Sequence, residues 1–335
     1  MKKALFIIFL FLAFAGSIAH AAIITVDNKV PSAGQYSTLQ AAHDAAGNGD
    51  TIYVSPSLIN YTGITVNKQL HIMGTGFDKP AADLPVTNIS GTITFSSSAA
   101  GSIMEGFGGQ FFIIIDADDI TIKRNFTQKI TVLSNRRGIV ILSNKIISND
   151  VYGCIYLNNF TEAMILNNII KNTSYGGNMY NTYACIGPYS GASISAIINN
   201  NILIVVKDWL KTISLSSSQY ASATNNIVYL GHLGTAYGIY NLLCCDTASG
   251  EGNIQVPDMS TVFVDPANGD FHLKPDSPAR GAGQNGVDMG CYGGDSPFVD
   301  GGAPGIPSII QINSSHIGSQ EGGLDVTIKA KSNKE

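Results

Sequence analysis

Asparagine recurs inside short apolar runs along the middle of the chain. The runs "VILSNKI" (140–146), "MILNNII" (164–170) and "AIINNNI" (196–202) each place amides among aliphatic side chains. Asparagine favours neither helices nor strands, so its repetition needs a structural reason. Aligning such runs gives a column spaced by 19 to 33 residues, whose members are Gly106, Asn125, Asn144, Asn168, Asn201, Asn226 and Asn253.

The positions beside this column repeat as well. Three residues earlier stand Ile103, Ile122, Ile141, Ile165, Ile198 and Ala223. Alternation with a period of two predicts a strand in each run, and repetition every ~20–30 residues predicts one set of strands per coil of a solenoid. Like residues of successive coils then lie about 4.8 Å apart. We therefore expect the asparagines to stack at a corner as a ladder of amide hydrogen bonds. Asn suits such a corner because it tolerates the left-handed backbone conformation.

The alternate positions of the same runs predict an outward-facing apolar patch. Its members in the middle coils are Val140, Leu142, Met164, Leu166 and Ile197. Contiguous apolar patches on a surface usually mark a contact. We expect the C-terminal tail, or a partner molecule, to cover this one.

The N-terminus has the pattern of a secretory signal. Met1-Lys2-Lys3 is basic, the following apolar stretch (4–15) is too short to cross a membrane, and Ala19-His20-Ala21 is a cleavage pattern. We expect a signal peptide over residues 1–21 and cleavage after Ala21. The protein would be secreted or attached to the cell surface, with no transmembrane segment once the signal is removed.

Composition fits an exported all-β protein. Charged residues make up only 13% of the chain and glycine numbers 36, whereas soluble helical proteins generally carry more Glu, Lys and Leu. A net charge of −5 gives no nucleic-acid-binding footprint. The five cysteines show no zinc-ligand spacing. Cys154 and Cys185 fall in matching strings, "YGCIY" and "YACIG", and should face each other on adjacent coils as buried thiols or as a disulfide.

These columns resemble the right-handed parallel β-helix of the pectin-lyase-like superfamily, in its I-x-I-x-x-N-x-I variety. Residues 36–78 resemble the superfamily's opening, with a short capping helix after Ser37 or Thr38. Residues 263–294 resemble the closing segment of many secreted bacterial β-helix proteins. Right-handed coils are also expected because parallel crossovers are almost always right-handed.

The resemblance implies a single all-β solenoid over residues 22–294, with its N-terminal helix covering the open end. A linker over 295–307 and a small β appendage over 308–335 would follow. The resemblance says little about function, because the superfamily holds lyases, hydrolases, epimerases, adhesins and inactive members.

The densest charges of the chain lie within residues 116–145. They are Asp116, Asp118, Asp119, Lys123, Arg124, Arg136, Arg137 and Lys145. By the resemblance, a polysaccharide lyase would use Lys or Arg to take a proton beside a uronate carboxylate, with acidic residues holding Ca²⁺. A glycoside hydrolase would need close carboxylates. No such motif is intact, so these charges are first interpreted as solvated turn residues.

A tyrosine-rich insertion favours binding instead. It runs through residues 173–191, and the next coil carries the single Trp of the chain. Long loops of solenoids often bind ligands, and flat aromatic faces suit sugar rings. The candidate carbohydrate-binding residues are Tyr175, Tyr180, Tyr183, Lys207 and Trp209. The alternative is that the tyrosines only pack the loop.

The sequence therefore favours a non-catalytic protein, without a cofactor, that binds a polysaccharide or a cell-surface glycan. One alternative is a polysaccharide lyase or glycoside hydrolase that uses the 116–145 charge cluster, with Ca²⁺ in the case of a lyase. Another is a purely structural or adhesive solenoid.

Overall fold

The computed structural model describes most of the chain. It covers residues 21–78, 85–174, 184–188, 193–208, 210–215, 220–234, 237–244, 249–314 and 323–331. The predicted signal peptide, apart from Ala21, lies outside these residues.

Short strands make up most of the described chain. The first half contains β1 (Ile23–Val26), β2 (Thr51–Val54), β3 (Tyr61–Thr62), β4 (Thr65–Val66), β5 (His71–Met73), β6 (Ile89–Phe95), β7 (Ile103–Glu105), β8 (Phe111–Ile115), β9 (Thr121–Lys123), β10 (Phe126–Thr127), β11 (Lys129–Val132), β12 (Ile139–Leu142), β13 (Lys145–Ser148), β14 (Ile155–Leu157) and β15 (Thr161–Leu166). The second half contains β16 (Ile169–Asn172), β17 (Ile186–Pro188), β18 (Ile194–Asn199), β19 (Ile202–Ile204), β20 (Lys211–Ile213), β21 (Tyr220–Thr224), β22 (Ile227–Val228), β23 (His232–Gly234), β24 (Tyr237–Ile239), β25 (Leu242–Leu243), β26 (Ile254–Gln255), β27 (Phe263–Asp265), β28 (Asp270–Leu273), β29 (Ser308–Ser314) and β30 (Val326–Lys331). The helix α1 spans Leu39–Ala45, and 3-10 turns lie at Ser97–Ala99, Met259–Thr261, Gln284–Gly286 and Asp300–Gly302.

Three parallel sheets form the walls of the solenoid. The first sheet has the order β1-β2-β5-β7-β9-β12-β15-β18-β21-β24. The second has the order β10-β13-β16-β19-β22-β25-β26, and the third β23-β20-β17-β14-β11-β8-β6-β3, with β4 beside β6. From β9 onward the chain visits the first, second and third sheets in turn before starting the next coil. The predicted parallel β-helix is confirmed by this pairing, and its parallel crossovers make it right-handed.

The inward-facing column of the first sheet is apolar from coil to coil. The register aligns Ile52, Ile72, Met104, Ile122, Ile141, Ile165, Ile198 and Ala223, all buried. Burying each large side chain contributes roughly 1.5–3 kcal/mol. The sequence alignment was wrong by one residue in its first coil, where Met104 rather than Ile103 pairs with Ile122.

The predicted asparagine ladder is present at the corner between the first and second sheets. We call it the inner ladder; its members are Asn125, Asn144, Asn168, Asn201, Asn226, Asn241 and Asn253. Each Nδ2 except that of the last member, Asn253, donates to the Oδ1 of the next member over 3.0–3.3 Å. Asn241 was missed by the alignment, and Phe107 takes the place predicted for Gly106, because its N–H donates to Asn125 Oδ1 at 3.1 Å.

The left-handed backbone lies one residue before the inner ladder, not on it as predicted. We call these residues the outer column; they are Gly106, Arg124, Ser143, Asn167, Asn200, Asn225, Tyr240 and Gly252, with φ from 53° to 82°. Ladder asparagines are therefore needed for their buried amides. Tolerance of positive φ is required of their neighbours.

The predicted capping helix is confirmed at the N-terminal end. Thr38 Oγ1 accepts a hydrogen bond from Ala41 N at 3.2 Å, which begins α1. Leu39 and Ala42 are buried in the same core as the first strands. Lys68 Nζ lies 2.8–3.1 Å from three carbonyl oxygens in the last turn of the helix and its C-cap, and so satisfies acceptors that the helix leaves open.

A C-terminal strap, residues 284–302, runs back along the outer column. Asn225 Oδ1 accepts from Gln284 N at 2.8 Å, and Asn167 Nδ2 donates to Gly293 O at 2.7 Å. Further back, Ser143 Oγ accepts from Val299 N at 3.0 Å. Part of the segment predicted as a linker is thus bonded to the solenoid. The strap and the residues before it also cover outward side chains of the second sheet, among them Ile169, Ile202, Ile227 and Leu242.

The C-terminal strands β29 and β30 form an antiparallel hairpin. Its described residues leave Val326 and Ile328 exposed. On the first sheet Met164 and Ile197 are also exposed, at 39% and 45%. The expected cover of the outward patch by the tail is therefore not found among the described residues.

Cys154 and Cys185 lie on adjacent coils, as predicted. Cys154 N donates to Cys185 O at 3.2 Å, and both are buried free thiols. Burial raises the pKa of Cys185 to about 12 and raises that of Cys154 as well. They therefore act as small apolar core residues.

Candidate functional site

The charges of residues 116–145 do not come together. Lys123 is the last residue of the first-sheet strand β9 and Arg124 follows it, and both approach Glu105, at 3.6 and 3.5 Å. Asp116 and Asp118 lie before that strand and contact Arg136 at 3.3 and 3.9 Å. The two groups thus occupy opposite ends of the strand, and no single groove gathers them.

Glu105 is the centre of the first group. It is 2% exposed, and His71 Nε2 lies 2.8 Å from its Oε1. Burial acts to raise the pKa of Glu105. The hydrogen bond with His71 and the charges of Lys123 and Arg124 outweigh that effect, so the pKa is lowered. These cations therefore serve first as partners of a buried carboxylate.

The third sheet carries exposed aromatic side chains on its outer surface. Phe112 on β8 is 41% exposed, and Tyr152, in the turn before β14, is 56% exposed. Tyr156 on β14 is half-buried, and its ring centroid lies 6.5 Å from that of Tyr152. Strand pairing places Lys129 of β11 beside Phe112. We call the group Phe112, Lys129, Asp150, Tyr152 and Tyr156 the aromatic face.

Charge on the aromatic face is internally balanced. Lys129 Nζ lies 2.7 Å from Asp150 Oδ2 and 5.3 Å from the centroid of the Tyr156 ring. Asp150 Oδ1 in turn accepts from Tyr152 N at 2.8 Å, which fixes the turn that presents the exposed ring. The ion pair places Lys129 beside the Tyr156 ring, and the turn fixes the backbone of Tyr152, so fewer groups need ordering when a ligand binds.

The described residues that flank the predicted tyrosine insertion lie next to the aromatic face. They are tied together by Asn172, whose Nδ2 donates to Ala184 O at 3.0 Å and to Asp150 O at 3.2 Å. Tyr175, Tyr180, Tyr183 and Trp209 lie outside the described residues. Lys207 is half-buried in the corresponding turn one coil further on. The predicted binding residues therefore stay a prediction.

Phe112, Lys129 and Tyr156 were missed by the sequence reasoning. Their signal is the alternation inside β8 and β14, where "FFIII" and "IYL" place an aromatic ring opposite buried aliphatic positions. Strand alternation assigns such rings to the outer surface. It does not show that rings from different coils meet there.

Among the residues that the structure describes, no three His, Cys, Asp or Glu side chains lie together as a metal site would require. No helix in the described part of the chain has the length and apolar character needed to cross a membrane.

No protein-family model and no curated protein sequence matches this chain. The strand pairing shows that the fold is a parallel β-helix. Among solved structures, pectate lyase Pel9A is similar over 82% of this chain and 97% of its own, with 12% identity and a TM-score of 0.39. The pectin methylesterase from Aspergillus niger is similar over 71% and 84%, with 18% identity and a TM-score of 0.35. Values this low transfer no function, and the fold rests on the strand register itself.

Proposed function

We propose that the chain is an exported, non-catalytic protein that binds a polysaccharide or cell-surface glycan along the aromatic face. The observation that carries the proposal is the pair of neighbouring rings, Tyr152 in the turn before β14 and Tyr156 on that strand, beside the ion pair of Lys129 and Asp150. Export would follow from the signal peptide expected over residues 1–21.

The balance of charge on the aromatic face indicates which class of glycan it can bind. Lys129 is already paired with Asp150, so the face offers stacking surfaces and hydrogen-bonding groups without a free charge. Such a surface suits a neutral glycan better than a polyuronate. Binding should then depend little on salt, because few ion pairs would form.

Affinity electrophoresis in neutral polysaccharides, followed by titration, tests the proposal. We expect Tyr152→Ala to weaken binding about tenfold, since each stacked ring contributes on the order of 1 kcal/mol or more. Tyr220→Ala is the matched control, because Tyr220 is 84% exposed on the first sheet. Equal affinities of the wild type and the Tyr152 variant would discard the aromatic face.

Cleavage is the second candidate, favoured by the two cationic side chains, Lys123 and Arg124, that lie beside Glu105. In a lyase, Lys123 would take the proton beside a uronate carboxylate. Unsaturated products from pectate or alginate, lost in Lys123→Ala, would replace the binding proposal with a lyase. We expect no such products.

A further inference from the structure

A separate cleft lies at the N-terminal end of the molecule, between the start of α1 and the edge strand β3. Its volume is about 350 Å³, within the range of small-molecule sites. The polar side chains along it include Asn28, Ser37, Thr38, Gln40, Asn60 and Thr62. It shares no residue with the aromatic face.

The lining of this cleft is polar but uncharged. Hydroxyl and amide groups surround an apolar floor that includes Leu39 and Ile64, both buried, and none of the lining residues carries a charge. A carboxylate or phosphate entering it would meet no counterion among these residues, which is unfavourable for a desolvated charge. Hydroxyl and amide groups, which can donate and accept hydrogen bonds, beside a small apolar floor match a neutral sugar.

Asn28 adds an independent sign of a missing partner. Its Nδ2 donates to Ile59 O at 2.9 Å, which fixes the orientation of the amide, and its N–H donates to Tyr61 Oη at 3.3 Å. Its Oδ1 is buried and has no hydrogen-bond partner. Buried polar atoms are nearly always satisfied, so an unpaired one needs an explanation.

We propose that this cleft binds a neutral sugar residue, with Asn28 Oδ1 accepting a hydrogen bond from a ring hydroxyl. Ser37 and Thr62, both exposed at the rim, would contact further hydroxyls. The cleft would hold one or two sugar units, whereas the aromatic face would run along a chain. The protein would then have two separate contacts for one class of ligand.

Saturation-transfer NMR on the full chain tests the site, with methyl glucoside, methyl galactoside and galacturonate as probes. We expect at least one methyl glycoside to bind and galacturonate to bind at least several-fold more weakly. Asn28→Ala should weaken binding about tenfold, the equivalent of one lost buried hydrogen bond. Thr62→Val keeps the shape of an exposed strand position and should weaken it about threefold.

The control variant is Tyr220→Ala, which should leave methyl glycoside binding unchanged, because Tyr220 is 84% exposed on the first sheet and belongs to neither site. Circular dichroism melting of Asn28→Ala shows whether that variant is folded, and Thr62→Val tests the same site if it is not. Equal binding by the wild type and Thr62→Val, or preference for galacturonate, would refute the proposal that the cleft binds a neutral sugar. Loss of all saccharide binding in Tyr152→Ala alone would leave the aromatic face as the site and refute this one.

Discussion

Adjacent asparagines at the same corner of the solenoid make different contacts. Asn168, in the inner ladder, directs its amide along the helix axis and bonds to the coils before and after it. Asn167, one residue earlier, has a left-handed backbone and turns its amide outward to the strap. Asn200–Asn201 and Asn225–Asn226 repeat the arrangement. The role of an asparagine here is therefore set by whether it belongs to the inner ladder or to the outer column, not by its residue type.

The largest effect is expected from the inner ladder. Asn168 is fully buried, and its Oδ1 accepts from Asn144 N and Nδ2 at 2.8 and 3.1 Å. Asn168→Ala strands both donors away from water, so the free energy of unfolding should fall by about 4 kcal/mol. Urea denaturation measures it, with the exposed turn residue variant Asn268→Ala as control. A loss below about 1 kcal/mol would show that the ladder is dispensable.

Arg124, the charged member of the outer column, contacts Glu105. Titration of Glu105 should make the free energy of unfolding depend on pH. Glu105 has a lowered pKa in the folded protein, so the stability that the carboxylate contributes is present above the unfolded pKa. That contribution is lost as pH falls through the lower folded value. At neutral pH, Glu105→Gln should reduce the free energy of unfolding by about 2 kcal/mol.

Denaturation of both proteins across acidic pH isolates Glu105 from the other carboxylates. The difference between wild type and Glu105→Gln should shrink as pH falls below about 4.5, the ordinary value of a glutamate. The asparagine rungs do not titrate, so Asn168→Ala should show no such convergence. A constant difference for Glu105→Gln would contradict the role given to the cations.

Substitution by glycine should affect stability differently in the outer column and in the inner ladder. At Asn167 the backbone has φ of 54°, so Asn167→Ala should lose about 2 kcal/mol from strain and from the lost strap bonds. Asn167→Gly removes the strain and should recover about 1 kcal/mol of that. At Asn168, glycine should do no better than alanine. Rescue by glycine at both positions would show that backbone freedom, not the amide, matters throughout.

The smallest effect is expected at the C-terminal hairpin. Deleting residues 307–335 should change the free energy of unfolding by less than about 0.5 kcal/mol, because its described apolar side chains are exposed. Binding of a hydrophobic dye should not rise. Ending the chain before residue 283 is the positive control, since it uncovers Ile202 and Ile227. Increased dye binding after the shorter deletion would restore a covering role for the hairpin.

The fold could be predicted from the sequence because every coil repeats the same local requirement. An inward-facing aliphatic residue and an asparagine at the corner recur along the solenoid, whatever the length of the loops between the strands. The alignment failed where the requirement changed: Phe107 begins the column without an amide, and Asn241 lies only 15 residues after Asn226. The left-handed residue was placed one position too late because two asparagines stand together.

The site was less accessible to such reasoning. Phe112, Lys129 and Tyr156 belong to different coils, so no local pattern joins them before the register is known. The strap could not be predicted from the sequence for a similar reason. Its bonds link Asn167 with Gly293, 126 residues away, and are made largely by backbone groups that every sequence has.

The strap also alters how such a molecule should fold. In a solenoid whose coils touch only their neighbours, each end can fray without consequence for the other. Here one backward-running segment joins Gln284 to Asn225 and Val299 to Ser143, so early and late coils are bound by the same stretch of chain. It can dock only after the coils beneath it exist, which makes it the last piece to form and couples the loss of one coil to the others. Slow, all-or-none assembly is the consequence, because contacts so distant in sequence must be closed late.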